Sequence, residues 1–438
     1  MSETSRQLAR QIFAEAMAAT TVEAACARLL SVHGNQLTAG GQTYDLAAFS
    51  QIFVISIGKA GATLFDAVRA LLPTSLPIRS IVSAPSPPQS LGPADQYFAG
   101  GHPLPNAASI LAAEAALQLL RSADEQTLIL FLISGGASAM FEQPISPTIT
   151  LRDLIELNRQ LVASGASIRQ INAVRKHLSA VKGGRLAAAA PLATKLSLFI
   201  SDVPSDALDA LASGPTLPDS TTLAQCREVI DQFLSPANLP ASIRNLLPYL
   251  QETPKPDHPA FHSAHHVVLL DNAALLDAAA QAAQRLGFAV TIDNTCDDWD
   301  YQEAASYLVQ RAEQLSAQNL KSCLLSGGEV TVRLPLNSGA GGRNQQLALF
   351  AAHALQELPG IALLSAGSDG IDGNSIAAGC VVDETTWPRA RQQGLDPEDF
   401  LASFNAFPLM AALGDTIVTG PSGNNLRDIR ILLSGADL

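Results

Sequence analysis

The sequence is poor in cysteine, in aromatic residues and in charge. Its five cysteines are scattered and form no CxxC pair, which argues against zinc ribbons and thiol redox chemistry and favours a reducing compartment. Acidic residues outnumber basic ones by 40 to 27, so nucleic acid and anionic membrane are unexpected partners, because both select basic surfaces. No apolar run reaches ~18 residues, and the polar N-terminus does not resemble a signal peptide. We therefore expect a cytoplasmic protein with no membrane span.

Three well-known motifs are also missing. Neither the GxxxxGK[ST] spacing of a Walker A loop nor the GxGxxG dinucleotide fingerprint occurs in the chain. The segment 136–140, GASAM, approaches the GxSxG nucleophile elbow but lacks its final glycine. These absences argue against a P-loop enzyme, a nicotinamide-dependent dehydrogenase and a serine hydrolase.

The length and the apolar content predict two α/β domains. A chain of 438 residues with 47% hydrophobic residues is too long for one ordinary core. Apolar runs predict strands over residues 51–57, 127–133, 196–200, 321–325 and 361–365, with helical segments between them such as 107–120. An amphipathic helix is expected over residues 5–31. Four prolines within residues 247–259 indicate a boundary, so the domains are predicted as 1–250 and 260–438.

Glycine turns and acids follow the predicted strands of the first half. Gly58-Lys59-Ala60-Gly61 follows the first strand and Ser134-Gly135-Gly136 follows a second; Asp202 ends a third, and Asp206 comes four residues later. Carboxyl ends of parallel strands meet at one edge of a sheet, and glycine turns let backbone N–H groups approach an anion there. The sequence therefore predicts a ligand site at this edge, although each acid alone is equally typical of a capped surface loop.

The second half repeats the strand and glycine-turn pattern. Ser326-Gly327-Gly328-Glu329 follows one predicted strand, and residues 366–373, which include Asp369 and Asp372, follow another. Arg343 stands behind two glycines at the start of a predicted helix, a suitable place to bind a phosphate or a carboxylate.

A dense group of cations lies between these regions. Arg175, Lys176, Lys182 and Arg185 have no acid among them, so they are expected to face an anionic ligand, with a solvated basic surface as the alternative. His102 stands in the proline-rich segment GGHPLP, where the stiff backbone would hold it over a cleft or in a structural position.

Taken together and in order, these loops resemble those of the class II glycerate kinases. The matching segments are GKAGA (58–62), GGHPLPN (100–106), SGGASAM (134–140), NAVRKHLSAVKGGRLA (172–187), SDVPSD (201–206), ASGPTLPD (212–219), SGGE (326–329), GGRNQ (341–345), GSDGIDG (367–373) and GPSGNN (420–425). The resemblance implies a Rossmann-like, doubly wound N-terminal domain, a C-terminal MOFRL domain and an active site in the cleft between them. It also implies ATP-dependent phosphorylation of D-glycerate to 2-phosphoglycerate, with ATP and Mg²⁺ as cofactors.

The resemblance further assigns roles to individual residues. The implied catalytic residues are Lys59, Arg343 and Asp202, and the implied substrate-binding residues are Arg175, Lys176, His102 and Ser138. The glycine loops would bind the nucleotide phosphates through Gly135, Gly136, Gly327, Gly328, Glu329, Gly342 and Asn344. The metal would be held by Asp206, Asp369 and Asp372, unless one of the acids takes the proton of the attacking hydroxyl.

Some positions depart from the family pattern. Ala137 and Ser205 stand where the family usually has glycine. An alanine with a positive φ would cost roughly 1 kcal/mol, so the 134–138 loop is expected to differ in shape.

Three other functions fit parts of the pattern. They are an NAD(P)H-dependent hydroxypyruvate reductase, a name given to some members of the family, a kinase of a related small hydroxy acid, and a non-catalytic sensor of small anions. The expected partners are small molecules, and a homo-oligomer is compatible with the sequence.

Overall fold

A computed structural model describes residues 4–235, 237–318 and 321–435. These residues form two compact units. The parallel-sheet unit comprises residues 25–269, and the mixed-sheet unit combines the chain up to Ala24 with the chain from Leu270 onward. The chain thus passes between the units near residue 24 and again near residue 269, whereas the sequence predicted one boundary between residues 250 and 260.

The elements of the parallel-sheet unit follow a β/α order. Its strands are β1 (Leu30–His33), β2 (Gln36–Ala39), β3 (Gln42–Asp45), β4 (Gln51–Ile57), β5 (Ile78–Ala84), β6 (Asp95–Ala99), β7 (Thr127–Ile133), β8 (Thr194–Ile200) and β9 (Ala264–Leu270). Its helices are α3 (Gly61–Leu71), α4 (Ala107–Leu120), α5 (Ala137–Met140), α6 (Leu151–Ala163), α7 (Ile168–His177), α8 (Arg185–Ala188), α9 (Leu223–Phe233) and α10 (Ala241–Leu246), with short 3₁₀ segments at Leu46–Ala48, Ser205–Ser213, Leu247–Tyr249 and Pro259–Phe261.

The main sheet of this unit has the strand order β6-β5-β4-β7-β8-β9, and the pairs from β6 to β8 are parallel. Helices cover both of its faces. Phe53, Ile55 and Ile57 share one face and one buried cluster with α4, because alternate residues of a strand point the same way. Ser56 points to the other face, where its hydroxyl donates to the carbonyl of Gly61 at the start of α3. The doubly wound sheet predicted from the sequence is confirmed.

The mixed-sheet unit is built around a second six-stranded sheet. Its strands are β10 (Ala289–Ile292), β11 (Ser322–Gly328), β12 (Ala362–Gly367), β13 (Gly379–Val382), β14 (Thr416–Ile417) and β15 (Asp428–Ser434), in the order β10-β11-β15-β12-β13-β14. Only β10 and β11 pair in parallel among these described strands; the other pairs are antiparallel. Its helices are α11 (Asn272–Arg285), α12 (Tyr301–Gln318), α13 (Arg343–Leu355), α14 (Thr386–Gln392), α15 (Pro397–Ala402) and α16 (Ala406–Leu413).

The predicted N-terminal helix over residues 5–31 forms two helices instead of one, and its last two residues belong to a strand. Helix α1 (Ser5–Ala19) ends before Thr20, whose hydroxyl donates to the Ala16 carbonyl, and α2 (Val22–Leu29) leads directly into β1. Two consecutive β-branched threonines weaken the helix at this point. The apolar side of α1, which includes Ile12 and Phe13, is buried in the mixed-sheet unit. None of the helices within the described ranges is long and apolar enough to cross a membrane.

Strand β8 carries a buried lysine that offers a test of the fold. Lys195 is 1% exposed, its ammonium donates to the Ala193 carbonyl at 2.8 Å, and no carboxylate of the described residues pairs with it. Burial lowers the pKa of Lys195 to about 8. The charged form is therefore disfavoured in the folded state, and this penalty disappears as the pH rises from 8 towards the unfolded pKa near 10.5.

We expect the Lys195→Met variant to be more stable than the wild type at pH 7, by about 3 kcal/mol, because methionine fills the same space without a charge. The difference should shrink between pH 8 and pH 10.5. Urea denaturation at pH 7, 8.5 and 10 measures it. A difference that stays constant over this range would show that Lys195 does not lose its proton in the folded protein.

Candidate functional site

Two glycine turns meet at the carboxyl edge of the parallel sheet. The chain leaves β4 towards β5 on one side, and β7 lies on the other side of β4, so this is the point where the strand order reverses. The Lys59 amide donates to the Gly135 carbonyl at 2.9 Å, and the Ala60 amide donates to the Ser134 hydroxyl. Gly58 has a φ of +114°, and an added β-carbon would lie 2.4 Å from the Ser134 hydroxyl oxygen. Only glycine fits at this position.

The second turn is surrounded by three of the predicted side chains. A β-carbon on Gly135 would lie 2.1 Å from Asp202 Oδ2, so the carboxylate rests directly against the backbone. A β-carbon on Gly136 would lie 3.0 Å from Lys59 Cγ and 3.2 Å from His102 Cδ2. Partial desolvation and the neighbouring Lys59 charge lower the pKa of His102, which favours a neutral imidazole. Lys59, His102 and Asp202, which are far apart in sequence, thus lie around one glycine turn.

A cavity of about 620 Å³ opens beside this turn, and we call it the His102 cavity. Three of the four predicted substrate-binding residues line it: His102, Ser138 and Arg175. The Ser138 hydroxyl lies 3.0 Å from the hydroxyl of Ser213, and the Arg175 guanidinium donates to the Asn158 side-chain oxygen at 2.7 Å. The charged side chains along its wall are Glu142, Arg159, Arg175 and Lys182, so cations outnumber acids by three to one.

The expectation that the 175–185 cations lack acidic partners is wrong. Lys176 is buried and pairs with Asp209 at 3.0 Å and with Asp219 at 2.9 Å. Lys182 is buried against Glu142. The partners lie 33 to 43 residues away in sequence, which is why the local pattern did not reveal them.

These contacts separate the roles of the cations. Lys176 is not among the residues that line the His102 cavity, and its ammonium is held by two carboxylates, so the contacts do not support its predicted role in substrate binding. Lys182 and Glu142 line the cavity; the sequence predicted Lys182 only as one of the cations facing an anionic ligand, and it gave no role to Glu142. The short spacing of Lys182 after Arg175 was the only signal that pointed to it.

The loop at Ala137 is not strained. Ala137 is the first residue of α5 and is absent from the positive-φ positions of the described chain, whereas the preceding Gly136 has a φ of +81°. The left-handed conformation therefore falls on a glycine that this sequence retains. The expected change in the shape of the 134–138 loop is not required. Ser205 likewise has no positive φ.

A second cavity, of about 810 Å³, lies in the mixed-sheet unit, and we call it the Arg343 cavity. Arg343 is the first residue of α13; its Nε donates to Asp428 at 2.6 Å and its Nη1 donates to Glu329 at 2.9 Å. Burial opposes the charge, but the two carboxylates outweigh it and raise the pKa of Arg343. The predicted site residues Arg343 and Glu329 are thus in direct contact.

Asp372 holds the start of α13 in place. Its carboxylate accepts hydrogen bonds from the backbone and the side-chain amides of both Asn344 and Gln345. A β-carbon on Gly342 would lie 2.3 Å from Asp372 Oδ1. Burial raises the pKa of Asp372 to about 6, despite the hydrogen bonds from Gln345 and Asn344. Asp372, a predicted metal ligand, therefore uses both carboxylate oxygens within the protein. One of its partners is the side-chain amide of Asn344, a predicted nucleotide ligand.

The glycines of β11 are also engaged. The Gly327 amide donates to the Asn294 side chain at 2.8 Å, and the Gly328 amide donates to the Asn272 side chain at 3.1 Å. These N–H groups point at side chains of the same unit rather than at open space. The role of Gly327 and Gly328 in phosphate binding stays a prediction that these contacts do not favour.

The predicted metal ligands are divided between the two units. Asp206 is exposed in the parallel-sheet unit, while Asp369 and Asp372 line the Arg343 cavity. Within the described ranges, no three His, Cys, Asp or Glu side chains are grouped closely enough to hold a metal ion by themselves. Magnesium commonly binds through one or two carboxylates with substrate phosphates and water, and Asp369 fits that mode, because only its Oδ1 accepts a hydrogen bond from the described residues, at Ile371.

The chain matches two families along its length. Residues 8–248 match the domain of unknown function DUF4147, and residues 322–428 match the MOFRL family. Over 437 residues the chain is 32% identical to a glycerate 2-kinase from Pyrococcus horikoshii, covering 98% of this chain and 97% of that protein. It is 36% identical to a D-glycerate 2-kinase from Thermotoga maritima, over 89% of this chain and 92% of that protein.

The fold agrees with these likenesses. The crystal structure of a glycerate kinase from Thermotoga maritima superimposes with a TM-score of 0.85 at 30% identity, covering 98% of this chain and 99% of that one. The family matches, the near full-length relatives and the fold agree with one another. This chain belongs to the glycerate kinase family, as the resemblance of its loops predicted.

Proposed function

We propose that this protein transfers the γ-phosphoryl group of ATP to the 2-hydroxyl of D-glycerate, with Mg²⁺ as the cofactor of the nucleotide. The observation that carries the proposal is the His102 cavity: a pocket with three cations and one acid in its wall, at the reversal point of a parallel sheet and next to Lys59 and Asp202. Its wall suits a small carboxylate, and its position is the one at which open α/β sheets bind ligands.

The acceptor binds in this cavity. Arg175 and Lys182 are the cations best placed for the glycerate carboxylate, because both line the cavity and both are desolvated; burial lowers the pKa of each. An ion pair with a substrate carboxylate would relieve that cost. Ser138 and His102 contribute a hydroxyl and a ring nitrogen for the hydroxyl groups of the acid.

The nucleotide binds in the Arg343 cavity. The residues that line it include the apolar Val330, Val332 and Phe404, which suit a base and a sugar, while Arg343 and the Gly341–Gly342 turn suit phosphates. The charged residues along the wall are one arginine and three aspartates, so a triphosphate would bind there with a cation. Asp369 is the carboxylate that would hold Mg²⁺, which supplies charge neutralisation at the phosphates.

Few groups are needed for the chemistry, since phosphoryl transfer depends mainly on positioning and on charge neutralisation. Asp202 accepts the proton of the attacking hydroxyl, because its carboxylate lies against the Gly135 turn at the edge of the acceptor cavity. Lys59 and Arg343 neutralise charge on the transferred group. They belong to different units, so their action on one phosphoryl group in an interdomain cleft stays a prediction.

The test supplies ATP, Mg²⁺ and D-glycerate and couples the product to enolase and pyruvate kinase without phosphoglycerate mutase. We expect a signal, because only 2-phosphoglycerate enters enolase directly. ADP formation without an enolase signal would indicate phosphorylation at the 3-position or of another acceptor, and adding the mutase would distinguish these two. The absence of both signals, together with oxidation of NAD(P)H by hydroxypyruvate, would replace the kinase by a reductase.

A further inference from the structure

A buried ion pair lies in the wall of the acceptor cavity, and the proposed function gives no role to its acidic member, Glu142. Lys182 and Glu142 are in direct contact, with side chains only 2% and 7% exposed, and both line the His102 cavity. A buried ion pair gives little net stability, because desolvation of both charges offsets their attraction. Its position in the wall of a substrate cavity indicates a role in recognition.

The hydrogen bonds that this pair makes with the described residues leave part of its donor and acceptor capacity unused. Glu142 Oε1 accepts from the Ser179 hydroxyl at 2.6 Å and from the Gln143 amide at 2.9 Å, and Oε2 accepts from Lys182. Two carboxylate oxygens offer about four acceptor positions, so Oε2 retains one. Within the described part of the chain, the Lys182 ammonium donates only to Glu142, which leaves it two further N–H donors.

One acceptor beside two donors is complementary to a polyhydroxy acid. The donors of Lys182 match a substrate carboxylate, and the open position on Glu142 matches a hydroxyl that donates a hydrogen bond. A carboxylate in a cavity for anions would repel a ligand that has no hydroxyl to donate, so its presence selects for one that has.

We propose that Glu142, held by Lys182 and Ser179, recognises the hydroxyl of the acceptor that is not phosphorylated, and so selects 2,3-dihydroxy acids over simple 2-hydroxy acids. This inference rests on the proposed function, because it assigns the second hydroxyl of glycerate to a residue of the same cavity. It makes Glu142 a determinant of specificity, while Asp202 and Lys59 serve the transfer itself.

The experiment compares D-glycerate with D-lactate, which has the same carboxylate and 2-hydroxyl but no 3-hydroxyl. The kcat/KM for each acid is measured by direct chromatography of ADP, in the wild type and in the Glu142→Gln variant. A site built to bind a hydroxyl rejects an analogue without it strongly, so we expect the wild type to prefer glycerate by about 10³-fold or more. In the variant this preference should fall by at least about tenfold, because kcat/KM decreases for glycerate and stays the same for lactate.

Two further variants serve as controls. Glu114→Gln makes the same change at an exposed acid of α4 that does not line the cavity, and it should leave the preference unchanged. The double variant Glu142→Met with Lys182→Met removes both charges together, so no unpaired buried charge threatens the fold. The double variant should bind both acids more weakly and should no longer prefer glycerate over lactate.

The outcomes separate the possible roles. If Glu142→Gln lowers kcat/KM for glycerate and lactate by the same factor, the pair only supports the cavity and the proposal is overturned. If the wild type forms no phosphorylated glycerate, the proposed function fails. The role of Glu142 is then tested separately, by calorimetric measurement of the binding of the two acids. Tighter binding of glycerate that is lost in Glu142→Gln supports the proposal, and equal binding of both acids by the wild type rejects it.

Discussion

The Lys59→Ala variant should lose about 10²- to 10³-fold in kcat with D-glycerate and ATP, while its circular dichroism and its free energy of unfolding stay close to those of the wild type. In the proposed mechanism the variant loses a cation that neutralises the developing charge of the transferred phosphoryl group, a change that typically costs about 3–4 kcal/mol in transition-state stabilisation. The fold should tolerate the change because Lys59 is exposed. Its backbone amide, which bonds to the Gly135 carbonyl, is retained.

Two further replacements separate the charge of Lys59 from the packing of its aliphatic chain. Lys59→Met keeps the aliphatic packing against Gly136 and should be as impaired as alanine, whereas Lys59→Arg keeps the charge and should recover part of the rate. The measurement is steady-state kinetics with both substrates saturating. Near-normal kcat in the methionine variant would remove Lys59 from the catalytic group and reduce it to a packing residue at the turn.

The Lys176→Met variant should be about 3–5 kcal/mol less stable than the wild type, because it leaves Asp209 and Asp219 without the cation that both of them contact. Burial opposes the ionisation of Asp219, but Lys176 and the Thr221 amide outweigh it and lower its pKa. The variant must therefore bury a carboxylate that has lost its charge partner. Equilibrium urea denaturation at pH 7 measures the change.

An exposed ion pair provides the matched control. Arg285 pairs with Glu15 at the surface of the mixed-sheet unit, where solvent screens the charges, so Arg285→Met should leave the free energy of unfolding close to that of the wild type. A Lys176→Met variant of normal stability with a raised KM for glycerate would contradict the structural assignment. It would also restore the role in substrate binding that the sequence suggested.

The composition of the loops and the positions of the main strands along the chain were readable from the sequence because they depend on local chemistry. The continuous apolar run at 127–133 specifies a strand buried on both faces, and the glycine at 136 specifies a turn with positive φ. Lys59, Gly135 and Asp202 were expected to lie near one another, because each follows a strand of one parallel sheet. The family could be identified for the same reason, since its motifs are these loops.

The partners of buried charges were not readable in this way. Lys176, Lys182 and Arg343 each pair with acids that are at least 14 residues away, and the choice among 40 acidic residues is made by packing rather than by spacing. The same reason explains why Lys176 was predicted to bind substrate while Glu142 was overlooked. For both residues, the role depends on where the side chain points in the folded protein.

The sequence by itself thus determined the α/β class, the glycine turns at the strand ends and the family, because each depends on residues that are neighbours in the chain. Only the tertiary structure decided which cations are neutralised internally and which line a cavity. It also placed the first helix in the mixed-sheet unit and put the left-handed residue at Gly136 rather than Ala137. Long-range packing settles these features because a buried charge or a strained φ is stable only with the particular neighbours that the fold brings to it.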